Sequence, residues 1–414
     1  MTPVNAQTSL AAAPAEAMTS DVVIIGGGLA GSLTGAMLGR AGIDCIVVEP
    51  HKEHPDEFRC EKLDGDQVRR LQKTGLADEI LAATTPDIEA WVARRGMIVD
   101  KRRGDQHGTF YAPLVNRVRS LIPPSVRICH AKATSLSTSE DRQTVTLANG
   151  TTISARLAVL SNGLSVALRD QVGLGRQVLS PCHSISIGFN LMPTNGGQFA
   201  CPAITYYAKS PVDRAALLTM FPIGDVHRVN LFVYRNMDDV WLRDFRAAPE
   251  KMLRALMPEL ESMIGPYAIE PRVQIRPVDI FVSTGHVQPG LVLIGDAYAT
   301  TCPAAGNGAR KAITDAERLC NVYIPQWLAT PGMGVGKISE FYSDPVKVAC
   351  DRFSFDKAFA LRSYSIDASL PWRMRRLVRF VLHVVVGLAR RARSFKGERQ
   401  VAPPTVPVLP EQRV

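Results

Sequence analysis

Two stretches of this chain have the residue types and spacing to do chemistry, and both are built on glycine. The first is Gly26, Gly27, Gly28, Leu29, Ala30 and Gly31, a GxGxxG pattern that follows a run of β-branched residues (21–25) and opens a helix of small residues expected over 30–41. Placed between a strand and a helix, such a turn holds a diphosphate. The first glycine makes the tight bend, the second lets backbone approach the phosphates, and the third lets the helix pack on the strand so that its N-terminus faces the anion. Glu49 ends a second expected strand (45–49), eighteen residues beyond Gly31. There it can accept hydrogen bonds from ribose hydroxyls, and its charge disfavours a 2′-phosphate. Gly26, Gly28, Leu29, Ala30, Gly31 and Glu49 are thus predicted to bind a dinucleotide; the competing reading is a turn kept for packing alone.

The second stretch follows a buried apolar run (291–294). It begins Gly295, Asp296, Ala297, Tyr298, Ala299, continues through Pro303 to Gly306, Asn307 and Gly308, and has Asp315 and Ala316 in the helix beyond. With this segment the chain resembles the para-hydroxybenzoate hydroxylase-type (class A) FAD-dependent monooxygenases, relatives of the ubiquinone-biosynthesis hydroxylases and geranylgeranyl reductases. The likeness covers residues 21–327. The family pattern is GDAAHxxxPxxGxG followed by DA, in which the aspartate binds the ribityl chain of FAD. That role comes by resemblance to Asp296, with Pro303, Gly306, Asn307 and Gly308 around the flavin. The residues make sense of it: a carboxylate at a strand end can receive sugar-alcohol hydroxyls, and N–H groups at a helix start suit the flavin edge where negative charge develops on reduction. A plain helix N-cap is the alternative for Asp296. Two positions depart from the pattern, Ala299 where the family has His and Arg310 where it has Asn.

The resemblance implies bound FAD, transient use of NAD(P)H, and oxygen transfer to a small hydrophobic substrate (aromatic, polyketide or isoprenoid) by a flavin C4a-hydroperoxide. The cofactor carries that chemistry, so no catalytic residue is assigned. A reductase that saturates prenyl double bonds is the alternative function, and a flavin-holding protein without turnover a third. Trp91, Trp241, Trp327 and Trp372 are isolated, which argues against a flavin halogenase with its Trp-x-Trp motif. Arg59 falls where family members set an arginine against the flavin, its rival role being a surface ion pair with Glu61 or a neighbour. For the family's next arginine Tyr111, Arg117 and Arg119 compete, and none is carried. Asn162, Gly163 and Arg169 partly match a DGxxSxxR segment linked to FAD and NAD(P)H handling, against a turn with Arg169 solvated. His183, His227 and His286 are read as structural.

These sites need elements to position them. Strand, glycine turn, helix and strand in immediate succession predict an α/β fold: a Rossmann-like FAD-binding domain, its parallel sheet carrying a β-meander, interleaved with an antiparallel-sheet substrate domain and followed by C-terminal helices. The expected divisions are a disordered tail 1–20, a discontinuous FAD-binding domain 21–180 and 272–330, a substrate domain 181–271, a helical region 331–396 and a disordered tail 397–414. The eight cysteines lack CxxC or metal-ligand spacing, so neither a disulfide framework nor a metal site is expected and a reducing cytoplasm suits the chain. The formal charge of +9 owes much to Arg373, Arg375, Arg376, Arg379, Arg390, Arg391, Arg393 and Lys396, with no acid among them. They bracket an apolar stretch (380–389) of about ten residues, half of the roughly twenty that cross a bilayer. This basic segment either lies on the inner face of an anionic membrane or packs on the protein. Nothing else in the chain suggests a nucleic-acid partner.

Overall fold

Five parallel strands, with Arg127–Cys129 at the edge beside Cys45–Val48, bring the two glycine-rich stretches to one end of a sheet. The computed structural model describes residues 17–194 and 196–398. Strand Ala17–Ile25 lies between Cys45–Val48 and Thr152–Leu160, parallel to both. Leu291–Leu293 pairs in parallel with the last residues of Thr152–Leu160, whose first half is edged by the antiparallel hairpin strand Gln143–Leu147. Strand side chains alternate between faces. Val22, Ile24, Val47, Leu157, Val159 and Val292 therefore share one core with helices Leu29–Arg40, Tyr111–Ser120 and Gly308–Arg318. Val23, Ile25, Ile46, Val48, Leu160, Leu291 and Leu293 share another with Leu136 and Val145. A sheet buried on both faces needs continuous apolar strands, which is what these sequences supply.

The second, eight-stranded sheet is built on the long strand Gly175–Pro193, antiparallel to Val226–Val233 and to Gln274–Thr284. Ile185, Ile187, Phe189, Leu218, Met220, Val229 and Leu231 point to one face, beneath the helices Val240–Ala247, Pro249–Leu256 and Leu260–Ile264. The alternate residues Ser184, Ser186, Thr219, Arg228, Asn230 and Phe232 point the other way, toward the glycine-rich end of the first sheet. The sheet also draws in Glu89–Arg94 and Met97–Arg103, a hairpin within the range expected for the FAD-binding domain, through parallel pairing of Glu89–Arg94 with Ala203–Tyr207. Helices Pro345–Ile366 and Leu370–Glu398 are the last described elements.

Both tail boundaries shift. Residues 17–20 are strand rather than tail, because Ala17 to Ser20 continue the parallel ladder against Thr152 to Ala155. The last helix runs through Glu398, two residues past the expected end of the helical region. The rest of the two expected tails, 1–16 and 399–414, lies outside the described residues.

Candidate cofactor site

Ile25, Leu160 and Leu293 stand in register across the parallel sheet, so the chain leaves three neighbouring strands at one level. This is the carboxyl edge, where open α/β sheets hold their ligands. Gly26 turns there at φ +106°, and a Cβ on it would come within 2.6 Å of the Ser161 carbonyl oxygen. A Cβ on Gly31 would lie 1.9 Å from the Gly26 carbonyl oxygen, so helix and turn meet without a side chain between them. At Gly28 the nearest atom to an added Cβ is the Tyr111 hydroxyl at 3.6 Å, which leaves backbone accessible at the helix start. Leu29 and Ala30 are buried in the first helical turn. Gly295, at φ +59°, sits so close to Ala30 that its Cβ would be 3.3 Å from the alanine methyl. The early and late glycine stretches therefore touch.

Glu49 lies just past Val48 with both oxygens engaged, accepting from Gly27 N–H at 2.7 Å and His51 N–H at 3.0 Å. Burial pushes this carboxyl up, but those two N–H groups and the Arg119 charge overcome it and hold it below the ordinary carboxylate range. A cavity of about 480 Å³ opens beside Gly27 and Glu49, bounded by Asn116, Arg119, Ile128 and His130. Arg119 crosses its floor, donating from Nε and Nη2 to the Gly27 carbonyl (2.8 and 2.6 Å) and lying 3.3 Å from Glu49. Of the three residues left competing in the sequence, Arg119 and Tyr111 reach the site, whereas Arg117 turns away to the Glu79 carbonyl. Tyr111 and Arg119 are eight residues apart on one helix, hence on one side of it, and that spacing was the available signal. The Tyr111 hydroxyl is 3.4 Å from Leu29 N–H, and burial lifts its phenol to about 12, so it stands neutral.

Asp296 follows Gly295 in a short 3-10 turn and is not an N-cap. Its Oδ2 accepts from Arg59 Nη1 at 2.7 Å, and Arg59 also pairs with Glu57. Of the rival ion pairs for Arg59, the one with Glu61 is not formed, whereas the one with a neighbour, Glu57, is. Glu61 is instead buried against Arg228, whose Nε donates to it at 2.8 Å while Nη1 and Nη2 reach Asn190 and Gln274. Pro303 opens a second 3-10 turn that ends at Gly306 in the left-handed conformation, φ +70°. Asn307 is buried with its Nδ2 unpartnered, and an added Cβ at Gly308 would meet nothing within 4 Å. Helix Gly65–Gln72, started by an Asp64 capping box, docks on this segment: Gln67 donates to the Gly306 carbonyl and Asp66 accepts from Arg310 Nε at 2.7 Å. Arg310, one of the two departures from the family pattern, thus serves as a strut between helices. Ala299, the other, is fully buried.

Arg169 is not solvated. It is 1% exposed and donates to the Ala297 carbonyl at 2.9 Å, the Gly175 carbonyl at 3.1 Å and Ser283 Oγ at 2.6 Å, tying the segment after Ser161 to the chain just past Asp296. Behind the same segment Asp315 Oδ2 accepts from Gly295 N–H at 2.9 Å, and its Oδ1 receives Lys347 Nζ at 2.7 Å.

Open backbone at Gly28 and Gly308, the unpartnered Asn307 amide and the cavity at Glu49 together fit a long ligand with a diphosphate in its middle, a sugar at one end and a flat ring at the other. The comparisons agree. The family model for the FAD binding domain matches residues 19–112. Squalene epoxidase erg1 of Aspergillus fumigatus is 24% identical over 91% of this chain and 83% of its own length. Ubiquinone hydroxylase UbiL of Rhodospirillum rubrum is 24% identical over 72% of each chain. Among solved structures, p-nitrophenol 4-monooxygenase PnpA of Pseudomonas putida superposes with a TM-score of 0.72 at 18% identity, covering 92% of this chain and 98% of its own. FAD is the cofactor.

Proposed function

Starting from a chain that belongs with the para-hydroxybenzoate hydroxylase-type FAD-dependent monooxygenases, we propose that it takes electrons from NAD(P)H and inserts oxygen from O2 into a hydrophobic ring or alkene. When bound, FAD supplies the redox chemistry and oxygen activation. The chain's own residues bind and orient. We assign the diphosphate to the Gly26–Gly31 turn, the ribose to Glu49, the ribityl arm to Asp296, and the ring edge to the Pro303–Gly308 backbone with Arg59 beside it. One dinucleotide fold is present, so the nicotinamide binds only in passing.

The observation that carries the substrate reading is a contact. Ala304, next to Pro303, packs with Leu217, Phe232 and Tyr234 on the inward face of the second sheet. A substrate laid against the cofactor would be held between that loop and this wall, where apolar side chains exclude water. Ser186 Oγ and the Tyr234 hydroxyl are buried on the same face without a partner among the described residues and are available to orient a polar substituent. Arg228 has its donors committed to Glu61, Asn190 and Gln274, so it braces the wall. The relatives' names, squalene epoxidase and ubiquinone hydroxylase, favour an isoprenoid-bearing substrate.

The last helix supports a peripheral membrane location for such a substrate. No helix among the described residues is long and apolar enough to cross a bilayer. Leu370, Met374, Leu377, Val378, Val381, Leu382, Val385, Val386 and Leu388 are nevertheless all exposed, on one side of Leu370–Glu398. Arg373 flanks this stripe on one edge, Arg375 and Arg379 on the other, an arrangement suited to lying in an anionic interface.

The test is anaerobic addition of NADH or NADPH to the yellow protein, then air, with quinols and polyprenyl compounds as candidate substrates. The reading expects the flavin to bleach and oxygen uptake to match a product one oxygen atom heavier. A flavin that no nicotinamide reduces, with or without substrate, contradicts it, as does double-bond reduction without oxygen uptake.

A further inference from the structure

Where the last helix meets the second sheet, arginines gather, with Asp367 near Arg376 but not paired with it and Glu259 taken up by Lys209. Gly387 lets the helix backbone lie directly on strand Met97–Arg103: a Cβ there would be 2.0 Å from the Val99 carbonyl oxygen. About two and three turns toward its start, Phe380 and Arg376 face a shallow cleft lined also by Arg94, Arg95, Lys209 and Tyr364. Arg94 is 6% exposed, with its guanidinium 3.6 Å from the centre of the Tyr207 ring and Nη1 3.3 Å from the Tyr364 hydroxyl. Its buried Nε has no partner among the described residues. Arg376 donates from Nη1 to the Tyr364 carbonyl at 2.8 Å, and its buried Nη2 also has no partner among the described residues. Arg95 is held at φ +50° over the Phe380 ring. Lys209 is neutralised by Glu259. Among the described residues no carboxylate lies within ion-pair distance of Arg94, Arg95 or Arg376.

Three cations with two buried, unused N–H donors are costly to keep together unless an anion joins them. A tetrahedral oxyanion satisfies such donors from several directions, and planar guanidinium groups are suited to binding it. The occupant's source follows from the surroundings. The cleft adjoins the exposed apolar stripe of the same helix, and neither the stripe nor its flanks carry an acid in residues 370–389. A second copy of this helix would bring arginines against arginines. We propose that the Arg94–Arg95–Arg376 cleft is a binding site for the phosphate of an anionic phospholipid, which seats the last helix on the membrane and fixes the substrate sheet against it. This rests on the membrane location proposed above.

The experiment is co-sedimentation of the full-length FAD-loaded protein with vesicles of phosphatidylcholine alone or with added phosphatidic acid, alongside calorimetric titration with glycerol 3-phosphate. Arg94→Gln and Arg376→Gln are expected to weaken binding to the acidic vesicles about tenfold or more, with Arg243→Gln, an exposed arginine on helix Val240–Ala247 outside the cleft and the last helix, changing it far less. Val381→Asp, in the apolar stripe, is expected to lose both vesicle types. Arg376 is half-exposed, so its variant keeps the test valid if Arg94→Gln fails to fold. Wild-type binding by both cleft variants, or an equal loss in Arg243→Gln, overturns the phosphate site while leaving membrane association standing. Binding of glycerol 3-phosphate without any vesicle binding overturns the lipid source and the membrane reading together.

Discussion

Lys347→Met should reach the cofactor without touching it. Lys347 and Asp315 are each 1% exposed, with Nζ 2.7 Å from Oδ1, and a second carboxylate, Asp351, lies 3.2 Å away. Burial pushes the Lys347 ammonium down, but Asp315 and Asp351 overcome it and hold it above the ordinary lysine range, so the pair persists throughout neutral pH. Removing one partner of a buried pair costs about 3–5 kcal/mol, because the survivor's charge is stranded in a low dielectric. Asp351 keeps Lys311 as a partner; Asp315 is the one left alone. Once stranded, Asp315 gains by drawing in water, and that weakens its acceptance of the Gly295 N–H. The loop that carries Asp296 then loosens. We expect Lys347→Met to lose about 3–4 kcal/mol in urea denaturation of the FAD-loaded protein and to bind FAD about tenfold more weakly. Adding Asp315→Asn removes the stranded charge and should recover much of the stability loss but not the FAD affinity. A stability change under about 1 kcal/mol with unaltered FAD affinity would refute the reasoning.

Gly31→Ala should abolish flavin retention, since its methyl would lie 1.9 Å from the Gly26 carbonyl oxygen and force turn and helix apart; absorbance of the purified variant checks this, and full flavin content would count against it. His183 is fully buried, and burial first, then the Arg362 charge, lower its imidazole to about 4 from 6.5. The unfolded chain therefore binds a proton that the folded one refuses between these values. Stability should fall by up to about 3 kcal/mol as pH drops from about 6.5 to 4. Urea titrations across that window should show the difference between wild type and His183→Asn narrowing as the pH falls; a constant difference would show that His183 does not titrate in this way.

The legible parts of this molecule were those whose physics is local. A strand, a turn needing positive φ and a helix packed too closely for a Cβ all fall within the fifteen residues from Asp21 to Gly35, so Gly26 and Gly31 identify themselves. The hairpin around Asn149 and Gly150 and the helix after Asp64 were likewise readable from turn and cap residues. Arg119 was not, because its acceptor at Gly27 is 92 residues away. Nothing in the neighbourhood of Arg169 told that Ala297 and Ser283 would bury it. The strands at 89–103 escaped for a similar reason: the hairpin gains its apolar face only by pairing with Ala203–Tyr207, more than a hundred residues on. Lys347 lies in a helix of mixed polarity, and only the packing against Gly308–Arg318 makes it a partner of Asp315.

The central claim is that two distant glycine-rich segments hold one FAD between them, and titration of the flavin-stripped protein with FAD tests it most directly. Saturation at one FAD per chain is predicted for the wild type, with Gly28→Val and Asp296→Ala each weakening uptake severely while keeping the folded far-UV circular dichroism. A wild-type protein that takes up no flavin, or variants at both ends that bind it as tightly as the wild type, would contradict the account.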